Sequence, residues 1–371
     1  MSSSDAPARA KTAGGGGGRI TRTQLRIGVG VIVAVAALYA PYYYGPAINQ
    51  DLSRAVYFAI AAMGLNLLTG FNGQISIGHG AFFGVGAFTT AILMDTHDLM
   101  FELTIPLAAL TAAVLGVLVG IPALRVRGLY LALVTLGLAV LFPFVGLKYI
   151  EGNGGTALVR PDRDGFNSLI TFLDNDQWRY LESLVVAVVL FLVAWNLTRS
   201  RIGRAMVAVR DQEVAASTVG VHLARVKVGV FALSAAYAGV AGALSVMVDG
   251  AADATDPVLA FRNSIEFLVA VVIGGTATIA GPAVGALILI LLRRETDGLI
   301  EGKEVLSPAI FGGALIAMIF VLPEGVVGGL SRLARRVLPD REGGSAASPL
   351  GPAPSAAMTN EADEPPTKEH S

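Results

Sequence analysis

Residues 70–87 read GFNGQISIGHGAFFGVGA, an otherwise apolar run of membrane length broken by six glycines and by the polar side chains Gln74, Ser76 and His79. In hydrocarbon, backbone N–H and C=O groups have no water to bond, so non-helical chain survives there only when packed on protein or lining a watery cavity. The stretch is therefore predicted to face the inside of a helical bundle. Its polar groups, with Asn66 just ahead of it, are the candidates for a translocation pathway. A plainer reading also stands: Gly80, Gly84 and Gly86 have the spacing of a small-xxx-small face, which lets helices approach closely.

The rest of the chain supports a bilayer setting. Of 371 residues, 54% are hydrophobic and only 15% charged, against about 25% charged in soluble domains. A hydrocarbon core about 30 Å thick needs about 20 helical residues to cross it. Windows meeting or approaching that length are 27–44, 52–69, 71–94, 103–124, 128–147, 180–197, 228–247, 265–280, 282–292 and 308–322. The predicted fold is an all-α polytopic membrane helical bundle with about 8–10 transmembrane segments and broken or re-entrant Gly-rich elements. The Pro282 window is too short to cross unless it recruits the charged residues beyond it, so a half-helix is an equal reading.

Residues 1–26, with the run Gly14–Gly18, and residues 337–371, rich in Pro, Ala, Ser and Glu, hold too little apolar surface to order themselves. They are expected to be disordered cytoplasmic tails around a membrane domain at 27–336. A cleaved signal peptide is a poor fit, because the polar leader is long and many apolar runs follow. Five basic residues precede the first window, Arg125 and Arg127 follow the fourth, and Arg332, Arg335, Arg336 and Arg341 follow the last. The bias of Lys and Arg toward cytoplasmic loops places all of these, and both termini, inside.

Other functions are narrowed by what the chain carries. A net charge of −1 offers no field for nucleic acid, and the absence of cysteine removes disulfides, thiolate metal sites and cysteine nucleophiles. Four scattered histidines suggest no metal cluster, and no cofactor is expected. The windows contain no paired carboxylates, HExxH or Ser-His arrangement of an intramembrane enzyme. They are also nearly free of charge, Glu266 lying at a window edge. A secondary transporter usually keeps acidic groups within its spans, although each costs about 2.5–3.5 kcal/mol to insert.

Two further stretches carry information. Residues 273–286, IGGTATIAGPAVGA, repeat the device of Gly pair, small hydroxyls and helix break. This suggests an internal duplication that sets two broken elements against each other near the midplane. Residues 200–227, SRIGRAMVAVRDQEVAASTVGVHLARVK, together with Arg199 just before them, hold six basic and two acidic residues. From Arg204 to Val219 they predict one short helix, ended by Gly220 as a left-handed cap. It could be a solvated loop, a membrane-surface helix or a handle for a soluble partner.

At this point several motifs together acquire a family look. GLNLLTGFNGQISIGHGAFFGVGAF, residues 64–88, resembles the N-terminal signature of the LivM-type permease subunit of branched-chain amino acid ABC importers, with Gly80 where alanine is more usual. GRAMVAVRDQEVAASTVGV resembles that family's cytoplasmic coupling segment, carried here by Gly203, Arg204, Ala205, Glu213, Ala215, Ala216 and Gly220. VVIGGTATIAGPAVGALI and LPEGVVG are similar to its late Gly-Gly…Gly-Pro segment and its closing Pro-x-Gly turn. The resemblance covers about residues 49–336. The loop ALVRPDRDG departs from the family's Gly-Gly-Ser-Asp-Gly type, which puts receptor docking and substrate in question.

The resemblance implies a transmembrane permease domain at 27–336 in the cytoplasmic membrane, a second permease of the LivH type, LivG/LivF-type ATP-binding subunits and an extracytoplasmic solute-binding protein. It implies no catalytic residue. ATP would be bound by the partners, because the only Gly-Lys pair, Gly302–Lys303, precedes Glu304 and forms no phosphate loop. The implied cargo is leucine, isoleucine, valine or a similar amino acid; urea, short amides or another small polar solute is the alternative within the family.

Overall fold

The computed structural model describes residues 35–124, 129–152, 158–159, 166, 173–253, 256, 258–298, 312–313, 316–317, 320 and 325–337. The tails, Arg125 and Arg127, and most of the 149–166 and 308–322 stretches lie outside the described residues.

Residues 35–43 are helical. Helix α1, Pro46–Leu65, starts with proline in its first turn, where a missing N–H costs nothing. It continues through a π-helical turn, Asn66–Phe71. The chain is then non-helical until α2, His79–His97. The 71–94 window is thus no single span: the break foreseen there consumes its first two turns. Helices α3, Phe101–Ala123, and α4, Leu129–Gly152, follow. Helix α5, Asn175–Arg199, begins where the Gln177 side chain accepts the Asp174 N–H at 3.3 Å.

Where one helix was expected over 204–219, there are two. Helix α6, Arg201–Asp211, is capped by Ser200 Oγ, and α7, Glu213–Thr218, starts after Gln212 adopts an extended φ of −156°. Composition favoured helix throughout, but the tertiary contacts of Arg210 and Glu213 described below pull the two halves in different directions. Gly220 does take the left-handed form, φ +86°. Helix α8, Leu223–Asp249, is followed by α9, Leu259–Gly274. The 265–280 window therefore starts earlier and stops sooner than expected, because Gly275, φ +114°, leaves the helical region. Glu266 consequently sits mid-helix, buried, with Arg293 Nη1 3.3 Å away. Helix α10, Gly281–Gly298, recruits the charged stretch after all, its Arg293 and Arg294 paired with Glu266 and Asp51. Helix α11, Gly325–Val337, packs on α9 and α10. Among the described residues one two-residue ladder pairs β1, Leu158–Val159, antiparallel with β2, Ala252–Asp253.

Among the described residues four helices are long and apolar enough to cross a membrane: 46–71, 101–122, 175–199 and 223–249. Burial sorts them. Residues of the α1 and α8 spans are 78% and 83% buried, against 28% and 17% for α3 and α5. Helix α8 is therefore the axis, with α1, α2 and α3 packed around it. The outward faces of α3 and α5 carry side chains such as Leu118 and Leu192, both more than half exposed, an apolar surface suited to lipid.

Glycine sets how closely the axis is approached. Gly86 of α2 lies on the Gly239 backbone of α8, and Gly242 lies on the Phe83 carbonyl, so a Cβ at either would meet backbone. Gly239 also abuts Ala108 of α3. Two of the three glycines read as a packing face, Gly80 and Gly86, do serve close approach of backbones, and Gly84 lies under the Phe142 ring.

Candidate translocation and coupling site

The polar groups of the broken stretch are drawn into a directed hydrogen-bond chain. Ser234 of α8 donates to the Gly64 carbonyl at 2.5 Å, which commits its only proton. It must then accept from His79 Nε2, 2.5 Å away. His79 Nδ1 is left to accept from Ser76 Oγ at 3.1 Å, and Ser76 in turn accepts the Gly78 N–H at 3.4 Å. A neutral ring with its hydrogen on Nε2 satisfies every partner. Ser76 and His79 are almost wholly buried. Gln74 is nearly so, its Nε2 3.5 Å from the Lys227 carbonyl.

Asn66, also fully buried, joins the two broken elements. Its Oδ1 accepts the Ala277 N–H at 2.9 Å and its Nδ2 donates to the Thr278 carbonyl at 2.8 Å. A Cβ on Gly70 would stand 2.6 Å from Ala277 N, and one on Gly325 would stand 2.5 Å from Gly275 Cα. Three motifs widely separated in sequence thus form one junction. It lies at the end of α1 nearest α6, not halfway along the bundle as expected, because the π-turn places Asn66 and Gly70 at the helix terminus.

The 200–222 segment caps that same end. Gly203 is buried, its Cα side against the Thr198 carbonyl, which permits the tight reversal from α5 into α6. Arg204 is exposed and reaches the Arg199 carbonyl at 3.4 Å; Ala205 is half-buried. Glu213 pairs with Lys227 Nζ at 2.5 Å, anchoring α7 to the start of α8. Ala216 is buried, whereas Ala215 and Gly220 are exposed. Val214 and Val219 flank them at 71% and 77% exposure, an apolar face open to a partner.

Three features escaped sequence reading. Arg210 Nη1 donates to the Gly70 carbonyl at 3.0 Å, a bond between segments 140 residues apart that no local pattern signals. Asn72, 2% exposed, has no partner among the described residues for either side-chain polar atom; its place in GFNGQ was the available signal. The third is a cavity of about 710 Å³ between α1, α2, α4, α8, α9 and α10. Its rim lies at the opposite end from α6 and carries four aspartates and four arginines, among them the pairs Arg54–Asp249 at 2.8 Å and Arg262–Asp256 at 3.3 Å. Phe58, Phe83, Phe88 and Ile290 line its depth, and its floor reaches Gly80. None of Asn66, Gln74, Ser76 and His79 lines it. Among the described residues no group of three or more potential metal ligands occurs.

A glycine-packed helical bundle with broken elements inside and an exposed two-helix handle at one end is the architecture of a polytopic membrane permease. The chain belongs to the family described as the branched-chain amino acid transport system permease component, whose signature spans residues 48–322. It is 30% identical over 292 residues to the high-affinity branched-chain amino acid transport system permease protein LivM of Escherichia coli (strain K12), covering 73% of this chain and 67% of that protein. It is also 26% identical over 294 residues to the LivH permease protein of the corresponding system in Salmonella typhimurium, covering 91% of that protein. More distantly, it is 24% identical over 297 residues to the ribose import permease protein RbsC of Haemophilus influenzae. No solved structure matches the chain. These relatives are transport permease subunits, which agrees with a multi-pass membrane protein that transports without chemistry of its own.

Proposed function

We propose that the chain is the LivM-type half of an ATP-driven importer that carries branched-chain amino acids inward across the cytoplasmic membrane. It pairs with a LivH-type permease, takes its energy from separate ATP-binding subunits, and receives solute from an extracytoplasmic binding protein. The α6–α7 handle is the contact for the ATP-binding subunits, through Arg204, Ala205, Glu213, Ala215, Ala216 and the Gly203 and Gly220 turns that shape it. Asn66, Gln74, Ser76 and His79 belong to the element that opens the pathway. Both termini lie on the handle side.

The observation that carries this reading is the Arg210–Gly70 bond. It links the exposed handle to the first of the two broken elements, giving displacement of α6 a direct route to the break. The likeness to LivM supports the cargo. The test is reconstitution of this chain with a LivH-type permease, LivG/LivF-type ATP-binding subunits and a solute-binding protein from the same organism, followed by ATP-dependent accumulation of labelled leucine in proteoliposomes. Failure of the full assembly to accumulate leucine, or uphill accumulation by this chain alone, would overturn the proposal.

A further inference from the structure

The large cavity has no part in the handle or in the hydrogen-bonded break, yet its lining has a definite chemistry. At about 710 Å³ it falls within the span of about 300–1,000 Å³ typical of small-molecule sites. Its rim bears equal numbers of aspartates and arginines. A balanced rim favours no net charge. It can, however, receive a molecule that itself carries both signs, each charge exchanging one partner for another.

Arg54 and Asp249 are placed for that exchange. Arg54 Nε and Nη2 both donate to Asp249 Oδ1, at 2.9 and 2.8 Å, while Tyr57 holds the other carboxylate oxygen at 2.9 Å. Their side chains are 39% and 32% exposed, so the pair is solvated enough to open at small cost. Beneath them Tyr57, Phe58 and Phe83 line the cavity, and Phe267 packs behind them, in an edge-on and tilted aromatic cluster with ring centroids 5.0–5.9 Å apart. Such a cluster is stiff and apolar. A polyol or urea would leave it unfilled. The lining reaches Gly80, next to His79 and its hydrogen-bond chain.

We propose that this cavity is a transit site, built within this single chain, for a zwitterionic amino acid with an apolar side chain. The ligand carboxylate is taken by Arg54, its ammonium by Asp249, and its side chain by the aromatic floor. The inference rests on the import function proposed above, and narrows it by assigning substrate selection to the permease as well as to the receptor.

Equilibrium binding of labelled leucine to the purified chain in nanodiscs tests the site apart from transport; uptake by the full assembly in proteoliposomes tests its use. Binding should be displaced by valine but not by leucinol, isocaproate or urea. The double variant R54Q/D249N should weaken binding, and raise the KM for uptake, by about tenfold or more, as expected for loss of charge-assisted contacts. The swapped variant R54D/D249R restores an ion pair and serves as the folding control. It should remain monodisperse yet keep the raised KM. No leucine binding by the chain while the assembly imports normally would overturn the proposal, as would a wild-type KM in the double or the swapped variant. Leucine binding without any ATP-driven uptake would instead overturn the import reading and leave the site standing.

Discussion

Arg210 Nη1 lies 3.0 Å from the Gly70 carbonyl, and the aliphatic stem of the same arginine covers Gly73, where a Cβ would fall 2.7 Å from its Cγ. One side chain thus fastens both ends of the first bend after α1. The Gly70 carbonyl is available because the π-turn ends there and helical bonding lapses. Arg210 is also paired with Asp211 at 2.9 Å, which steadies the guanidinium from the solvent side.

Replacing Arg210 should separate ATP use from transport. In R210A the Gly70 carbonyl loses its donor and Gly73 its cover, at about 1 kcal/mol for the hydrogen bond. Leucine uptake by the reconstituted assembly should fall by about fivefold or more, as that free energy implies, while ATP hydrolysis continues. R210K should rescue only in part, because a point charge cannot reproduce the fork of a guanidinium. Equal losses of hydrolysis and uptake would contradict this assignment.

The handle itself is tested by replacing Glu213 and Gly220 together. E213Q removes the charge facing Lys227 Nζ, and G220A forces a side chain into φ +86°, a cost of about 1–2 kcal/mol. The protein should insert normally, shown by membrane fractionation, yet its assembly should hydrolyse ATP without matching uptake. Coupled uptake at the wild-type ratio would remove α7 from the coupling path.

Asn66 should be a stability residue as well as a pathway one. N66A strips the Ala277 N–H and the Thr278 carbonyl of their partners at once, about 1–3 kcal/mol for each buried group left unpaired. N66D keeps the acceptor but turns an oxygen toward the Thr278 carbonyl. Both should lower the unfolding temperature in detergent, N66D at least as much. An unchanged melting profile would mean that the two broken elements are held together by other contacts.

Because the chain has no cysteine, single cysteines report directly on access. Q74C or S76C should react with a small polar thiol reagent in one state of the transport cycle and be shielded in another, as trapped with and without nucleotide on the reconstituted assembly. Shielding of both in every state would reduce the 70–87 element to packing.

How much was legible follows from range. Broken backbone at 72–78 was readable because glycine and polar residues inside an apolar run conflict with a continuous span. The Gly220 cap was readable for a similar local reason. The recruitment of Arg293 and Arg294 into α10 was only an option in the sequence, since it depends on Glu266 and Asp51 standing opposite them. The split of 204–219 was missed because each half is a good helix former, and Gln212 breaks only when α6 and α7 are anchored to different elements.

The sequence by itself determined that the chain is a helical membrane protein with two interrupted elements, since hydropathy and glycine placement are local properties, and its ordered motifs carried the resemblance to a permease family. Only the tertiary structure decided that the interruptions meet through Asn66, that Arg210 ties them to the handle, and that a charge-balanced cavity opens at the other end. Those depend on side chains brought together over 140 residues or more, and a hydrogen bond a few ångströms long leaves no trace in composition or spacing.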